Sequence, residues 1–73
     1  MKVKILQALN AHFIGEIAKH KMNVEIFLAN PTGVGEHIDI LETISAEMGK
    51  IAEYEDKLGV IVKHFQENHM GKL

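Results

Sequence analysis

The stretch "NPTGVGEH", residues 30–37, decides the fold, because it separates two long segments rich in helix-forming residues and holds the only proline of the chain. Asn30 precedes Pro31, and a residue before proline disfavours the helical conformation, so a helix is expected to end here. Gly33 and Gly35 can adopt the positive φ angles of a tight reversal at no steric cost. The stretch therefore predicts a turn between two helices, formed by Asn30, Pro31, Gly33 and Gly35.

A phosphate-binding loop is the alternative interpretation of two glycines beside Thr32. Such a loop follows a strand and carries the pattern GxxxxGK[ST], whose lysine reaches the phosphates. Here the glycines follow a helical segment, and Glu36 places a negative charge where that lysine would stand. The turn is therefore the favoured interpretation.

The segments on both sides of the turn predict helices. Leu, Ile, Ala, Glu and Lys dominate them, and residues alternately three and four positions apart form mostly apolar seams of the coiled-coil kind. We predict a single all-α domain over residues 1–73, with a helix at about 3–29, a loop at 30–37 and a helix at about 38–69. The seams are Val3, Leu6, Asn10, Phe13, Ile17, His20, Val24, Phe27 and Leu41, Ile44, Met48, Ile51, Glu55, Leu58, Val62, Phe65.

The two seams align when the chain folds back about residue 34 into an antiparallel two-helix hairpin. Phe27 then faces Leu41, and His20 faces Met48. A hairpin with a short connection produces such regular pairing. The predicted interface residues are Leu6, Phe13, Ile17, Val24, Met48, Ile51, Leu58, Val62 and Phe65, and the predicted polar seam residues are Asn10, His20 and Glu55.

Glu55 interrupts the apolar seam at the layer predicted to face Phe13. A buried carboxylate is costly unless it finds a partner. The favoured interpretation is a register device, like a polar residue at a coiled-coil core position. A second interpretation places Glu55 at a solvent-open edge. Catalysis is third, because no nucleophile, second acid or pocket accompanies it.

A second stripe on each helix consists of small residues. Glycine inside a helix costs about 1 kcal/mol relative to alanine, so a packing reason is expected. Close approach of helix backbones is favoured over a functional hinge. The stripe residues are Ala8, Ala11, Gly15 and Ala18 on the first helix and Ser45, Gly49, Ala52 and Gly59 on the second.

The composition excludes several function classes. Without cysteine, the chain forms neither a disulfide framework nor a thiolate zinc site. Eight Lys against ten Asp and Glu give a net charge of −2 without a basic block, which argues against nucleic-acid binding. No apolar run approaches the ~18 residues of a membrane span, and the first residues lack signal-peptide features. We therefore expect a cytoplasmic, non-enzymatic protein that binds neither nucleic acid nor membranes.

The segment "HFIGEIAKH", residues 12–20, places His12, Glu16 and His20 at successive i, i+4 positions of one helix. Imidazoles and carboxylates are good ligands for zinc and other divalent metals. A ladder over two turns is too long for one ion to touch all three, and His12 and Glu16 share the polar face with Lys19. A solvated face is therefore favoured and no cofactor is expected, with metal binding as the alternative.

The run "KMNVEIFLANPTGVGEHIDILETISAEMGKIAEYEDKLGVI", residues 21–61, resembles short proteins encoded by T-even-like tailed phages, including phages of marine cyanobacteria. The resemblance rests on a helix that ends in "NPTGVGEH", followed by "IDILETI" and "KIAEYEDKL", and it covers over half of the chain. This family has no established activity, so the resemblance implies a helical hairpin of viral origin and no catalytic residue. It suits a small virion or host-takeover protein in the cytoplasm of an infected bacterium.

The predicted helices carry more apolar surface than one partner helix can cover. Such surplus marks an interface, and the simplest solution is a homodimer in which two hairpins form a four-helix bundle. We therefore expect a homo-oligomeric protein–protein interaction module with a viral or host protein as further partner. The alternative is a small metal- or ligand-binding bundle that uses His12, Glu16 and His20. The surplus residues are Ile5, Leu9, Ile14, Ile26, Leu28, Ile38, Ile40, Val60 and Ile61.

Overall fold

A computed structural model describes residues 1–29 and 39–66 of the chain. Over these residues there are two α-helices and no strand, with α1 at Lys2–Ala29 and α2 at Ile40–His64. The all-α prediction is therefore confirmed for this part of the chain, although α2 ends at His64 and not at about residue 69. The loop predicted at 30–37 lies outside the described residues, together with its turn residues Asn30, Pro31, Gly33 and Gly35.

The ends of α2 are set by local signals. Asp39 precedes the helix with an extended backbone (φ −73°, ψ 103°), and its side chain accepts a hydrogen bond from the backbone N–H of Glu42 at 3.1 Å. An aspartate cap satisfies a free N–H group and complements the helix dipole. At the other end, the backbone N–H of Phe65 donates to the carbonyl of Ile61 at 2.9 Å, next to His64 in the last turn. Asp39 therefore caps α2, which begins at Ile40 and not at about residue 38.

The two helices pack against each other in antiparallel directions. His20 of α1 contacts Glu47 of α2, and Phe13 of α1 contacts Tyr54 of α2. The earlier residue of α1 thus contacts the later residue of α2, as expected for antiparallel helices. This arrangement confirms the predicted two-helix hairpin.

The core of the hairpin is thin. Among the described residues only Val24 and Ile61 are buried apolar residues, with 8% and 5% of their surface exposed. The other residues between the helices keep part of their surface in contact with solvent. Of the residues predicted from the sequence, those half-buried between the helices are Leu6, Asn10, Phe13, Ile17, His20, Phe27, Ile44, Ile51 and Leu58.

The contact side of α2 differs from the predicted seam. Met48, Val62 and Phe65 are exposed to 51%, 42% and 51%, and Glu55 and Leu41 are exposed as well. The places of Leu41, Met48, Glu55 and Val62 between the helices are taken by the residues one position earlier, Ile40, Glu47, Tyr54 and Ile61. The predicted pairs of His20 with Met48 and of Phe13 with Glu55 are therefore corrected to His20 with Glu47 and Phe13 with Tyr54.

The rotation of α2 has a physical reason. Ile44, Ile51 and Leu58 belong both to the predicted seam and to the observed one, so the apolar periodicity allows either orientation. The observed orientation brings the ring of Tyr54 into the interface and lets Glu47 reach hydrogen-bond donors of α1. The alternative would direct the carboxylate of Glu55 at the apolar ring of Phe13.

The glycines inside the helices are not required by the packing of α1 on α2. A Cβ atom added to Gly15, Gly49 or Gly59 would meet nothing within 4 Å, apart from chain neighbours and the backbone of the same helix. The close approach predicted for the small residues is therefore absent at these glycines within the hairpin. The space beside them is open.

Within the two described helices, no segment combines the length and the apolarity needed to cross a membrane.

Candidate functional site

A polar cluster of three side chains joins α1 to α2. Nδ1 of His20 lies 2.7 Å from Oε1 of Glu47, and Nδ2 of Asn23 donates to the same oxygen at 2.9 Å. An ionised carboxylate only accepts hydrogen bonds, so the proton of the shorter bond resides on Nδ1 of His20. The side chains of His20 and Glu47 retain 13% and 22% of their exposure, so the cluster lies at the edge of the helix–helix contact.

The hydrogen bonds change the acidity of Glu47. The bond from His20, followed by the bond from Asn23, lowers the pKa of the Glu47 carboxyl below its ordinary value, although partial burial acts in the opposite direction. The carboxylate therefore stays ionised to a lower pH in the folded chain than in the unfolded chain. Its ionised form is coupled to the folded state.

The cluster also defines what His20 can do chemically. A carboxylate that accepts from one ring nitrogen orients the imidazole and leaves Nε2 as an acceptor when the ring is neutral. Such a ring can provide one ligand to a metal or accept a proton. Neither role amounts to a metal centre or a catalytic dyad without a second reacting group.

An aromatic group continues the polar cluster along the hairpin. The ring of Tyr54 stacks on His20 with a centroid distance of 6.3 Å and an interplanar angle of 12°. Tyr54 also contacts Phe13 at 5.8 Å and the edge of His12 at 6.2 Å. The ammonium of Lys57 lies 5.1 Å from the Tyr54 centroid, within the range of a cation–π contact. Tyr54 is thus the central side chain of this side of the hairpin.

Exposed ion pairs complete this side of the molecule. Nζ of Lys19 lies 3.0 Å from Glu16, and this bond lowers the pKa of Glu16 and raises that of Lys19. Glu53 accepts from Lys57 at 3.1 Å and lies 3.5 Å from Lys50, and the Lys57 bond is the main cause of its lowered pKa. Exposed pairs of this kind contribute little to stability, so they identify a solvated surface.

We call this side of the hairpin the polar face. Its charged and polar groups bond to one another within a helix or across the two helices. Exposed apolar side chains of the same side are Ile5, Leu9, Ile26 and Val60. The polar face consists of His12, Glu16, Lys19, His20, Asn23, Glu47, Lys50, Glu53, Tyr54 and Lys57.

The structure separates the three members of the predicted metal ladder. Glu16 pairs with Lys19, His20 bonds to Glu47, and His12 packs against aromatic rings. Over the described part of the chain, no group of three His, Cys, Asp or Glu residues is placed to hold a metal ion. His12, Glu16 and His20 therefore share the polar face without converging on one point.

Sequence reasoning missed Asn23, Glu47 and Tyr54 as contacts between the helices. For the two residues of α2, the sequence does contain a signal. Tyr54 and Ile61 follow Ile40 at multiples of seven residues, and this heptad spacing defines the observed seam. Glu47 occupies the remaining position of this repeat. A carboxylate in that place would have indicated a donor on the facing helix.

A groove lies at the end of the hairpin where α1 begins and α2 ends. Its volume is about 420 Å³, and it is open to solvent. No described side chain that carries a charge or a polar group is fully buried in it. The groove is lined by Lys2, Val3, Leu6, Gln7, Asn10, Ile61, Phe65 and Gln66.

Comparison with other proteins adds no assignment to this geometry. No protein-family model, no curated protein and no solved structure matches the chain. The resemblance to phage proteins therefore stays a prediction, and the function is argued from the surface of the hairpin.

Proposed function

We propose that the protein is a non-enzymatic, homo-oligomeric protein–protein interaction module, in which two hairpins associate into a four-helix bundle. The observation that carries this proposal is the exposure of apolar side chains. Thirteen large apolar residues are exposed among the described residues, whereas Val24 and Ile61 are the only buried ones.

Physical chemistry supports association. Each Å² of apolar surface removed from water contributes about 25 cal/mol, and a chain of this length has little other means of offsetting the entropy lost on folding. The α1–α2 contact leaves many large apolar side chains in contact with water. Because the chain has no cysteine, no disulfide compensates for the thin core.

The non-enzymatic part of the proposal is supported by the state of the polar groups. His20, Asn23 and Glu47 satisfy one another, and the exposed carboxylates Glu16 and Glu53 pair with lysines. An acid–base or nucleophilic mechanism requires two groups placed around a reacting atom. The polar face instead offers charges and rings that suit contact with another protein.

The resemblance to phage proteins gives this proposal a biological setting. In that setting the module works in the cytoplasm of an infected bacterium, and its further partner is a viral or host protein. The polar face is the surface that remains open for this partner when the apolar surface is covered.

Light scattering behind a sizing column tests self-association. Over a wide range of concentration, we expect twice the 8.2 kDa mass of one chain, falling toward 8.2 kDa only on strong dilution. A single-chain mass at every concentration would refute the proposal. Thermal unfolding with and without zinc addresses the alternative function, since zinc that raises the melting temperature of the natural chain but not of His20→Ala would support a metal-binding bundle.

A further inference from the structure

The side of the hairpin opposite the polar face is apolar and has no cover. Its large exposed side chains are Ile14 and Leu28 on α1 and Leu41, Met48 and Val62 on α2, and Leu41 is exposed to 78%. Heptad spacing places all five on one side of the two-helix layer. We call this side the apolar face.

The α2 half of the apolar face forms a second helical seam beside the one that contacts α1. The small residues Ser45, Ala52 and Gly59 follow one another at seven-residue intervals, and Met48 and Val62 lie between and beyond them. All three small residues are exposed, and the space next to Gly59 is open. Because the side chains along this seam are small, another helix can pack against it at close distance.

Two of the charged residues on the apolar face, Lys21 and Glu55, indicate how the second copy is oriented. Neither Lys21 nor Glu55 has a hydrogen bond or ion pair with any residue that the structure describes. Lys21 follows His20, which bonds to Glu47, so Lys21 lies beside Glu47 along the length of the hairpin. Glu55 follows Glu47 by eight residues, which corresponds to about 12 Å along a helix. The two side chains are too far apart along the hairpin to pair within one chain.

A two-fold axis halfway between Lys21 and Glu55 along the hairpin would bring Lys21 of one chain close to Glu55 of the other. That halfway point falls close to Ala18 on α1 and Ala52 on α2. Ser45 and Gly59 are each seven residues from Ala52, so an antiparallel α2 pair centred on Ala52 sets small residues against small residues. The face is thus complementary to itself in both size and charge.

We propose that a second copy of this chain docks on the apolar face about a two-fold axis near Ala18 and Ala52. The two α2 helices then cross antiparallel at Ala52, and Lys21 of each copy pairs with Glu55 of the other. This inference rests on the proposed self-association and deepens it, because it assigns the face, the direction and the contacts.

Disulfide cross-linking tests the proposal directly, since the natural chain has no cysteine. In Ala52→Cys, a residue near the axis meets its own copy, and we expect nearly complete conversion to a linked dimer under mild oxidation. Ala46→Cys is the matched control, because Ala46 is also an exposed alanine of α2 but lies on the side of the polar face. It is expected to remain largely unlinked.

The outcomes separate the two proposals. A dimer by light scattering whose Ala52→Cys variant does not link, or links no better than Ala46→Cys, would overturn the assigned face and leave self-association intact. A single-chain mass for the natural protein would instead overturn the proposed function.

Charge reversal provides a second test that does not depend on cysteine. Lys21→Glu is expected to weaken dimerisation about tenfold, because two ion pairs become repulsive contacts. Adding Glu55→Lys should restore the dissociation constant to within about twofold. Lys50→Glu makes the same charge change on the polar face and is expected to leave it unchanged. Failure of the double variant to recover would refute the Lys21–Glu55 pairing.

Discussion

The polar face and the apolar face belong to the same two helices but differ in how their side chains are satisfied. On the polar face, charged groups find partners at short range, such as Lys19 with Glu16 and His20 with Glu47. On the apolar face, Leu41 and Met48 meet solvent, and Glu55 has no partner among the described residues. The polar groups of one face are therefore satisfied within a single chain, whereas the apolar side chains of the other face are the ones that the proposed second copy would cover.

The comparison of the two faces depends on the observed contact between α1 and α2. A substitution at the buried residue Ile61 tests this contact, and its expected effect is the largest. Ile61→Ala is expected to lower the free energy of unfolding by about 3 kcal/mol, because the substitution removes buried methyl groups and leaves a cavity. Urea unfolding at fixed chain concentration measures this change, since association contributes to apparent stability. Val60→Ala, at the exposed neighbouring position, should cost less than about 0.5 kcal/mol. Equal losses at both positions would contradict the observed rotation of α2.

A charge on the apolar face should break the assembly without breaking the helices. Met48→Lys is expected to weaken self-association about 100-fold, because it places an ammonium in each of two symmetric copies of a desolvated surface. Sedimentation or light scattering gives the dissociation constant, and circular dichroism gives the helix content.

Val60→Lys is the matched control for that change. Val60 is an exposed apolar residue of the same helix on the side of the polar face, so its replacement is expected to leave association unchanged. If both lysines dissociate the protein to the same extent, the two faces do not differ in the way described.

The polar cluster predicts a pH dependence with a definite sign. Because the pKa of Glu47 is lower in the folded chain than in the unfolded chain, its contribution is fully present above the unfolded pKa. It is lost as the pH falls through the folded pKa, so the natural protein should lose stability on the acid side.

Glu47→Gln is expected to cost about 1 kcal/mol at neutral pH, since charge-assisted hydrogen bonds from His20 and Asn23 become weaker at a partly exposed site. It should also flatten the acid-side decline in melting temperature. Asp56→Asn serves as the control, because Asp56 is exposed and has no hydrogen bond or ion pair with any described residue. A decline of unchanged steepness in Glu47→Gln would show that the cluster is not its source.

The smallest effect is expected for the exposed pairs of the polar face. Lys50→Ala removes a 3.5 Å contact with Glu53 in a fully solvated setting, so the melting temperature should not change measurably. A clear loss of stability would mean that the polar face is covered by another chain and is not the open side of the assembly.

The candidate site was only partly predictable from the sequence. The ladder of His12, Glu16 and His20 was visible as a pattern, because helical spacing depends on residues close in the chain. The bond from His20 to Glu47 joins residues 27 positions apart and depends on how the two helices face each other. No periodicity within α1 contains that information.

Much of the fold follows from the sequence alone. Helix formation, the aspartate cap before α2, and the shared seam residues Ile44, Ile51 and Leu58 all depend on near neighbours in the chain. The tertiary structure alone decided the rotation of α2, because its apolar arc is wider than one partner helix and carries two adjacent seams. Contacts of Tyr54 with Phe13, and of Glu47 with His20, favour one seam, and the other seam stays exposed on the surface of the hairpin.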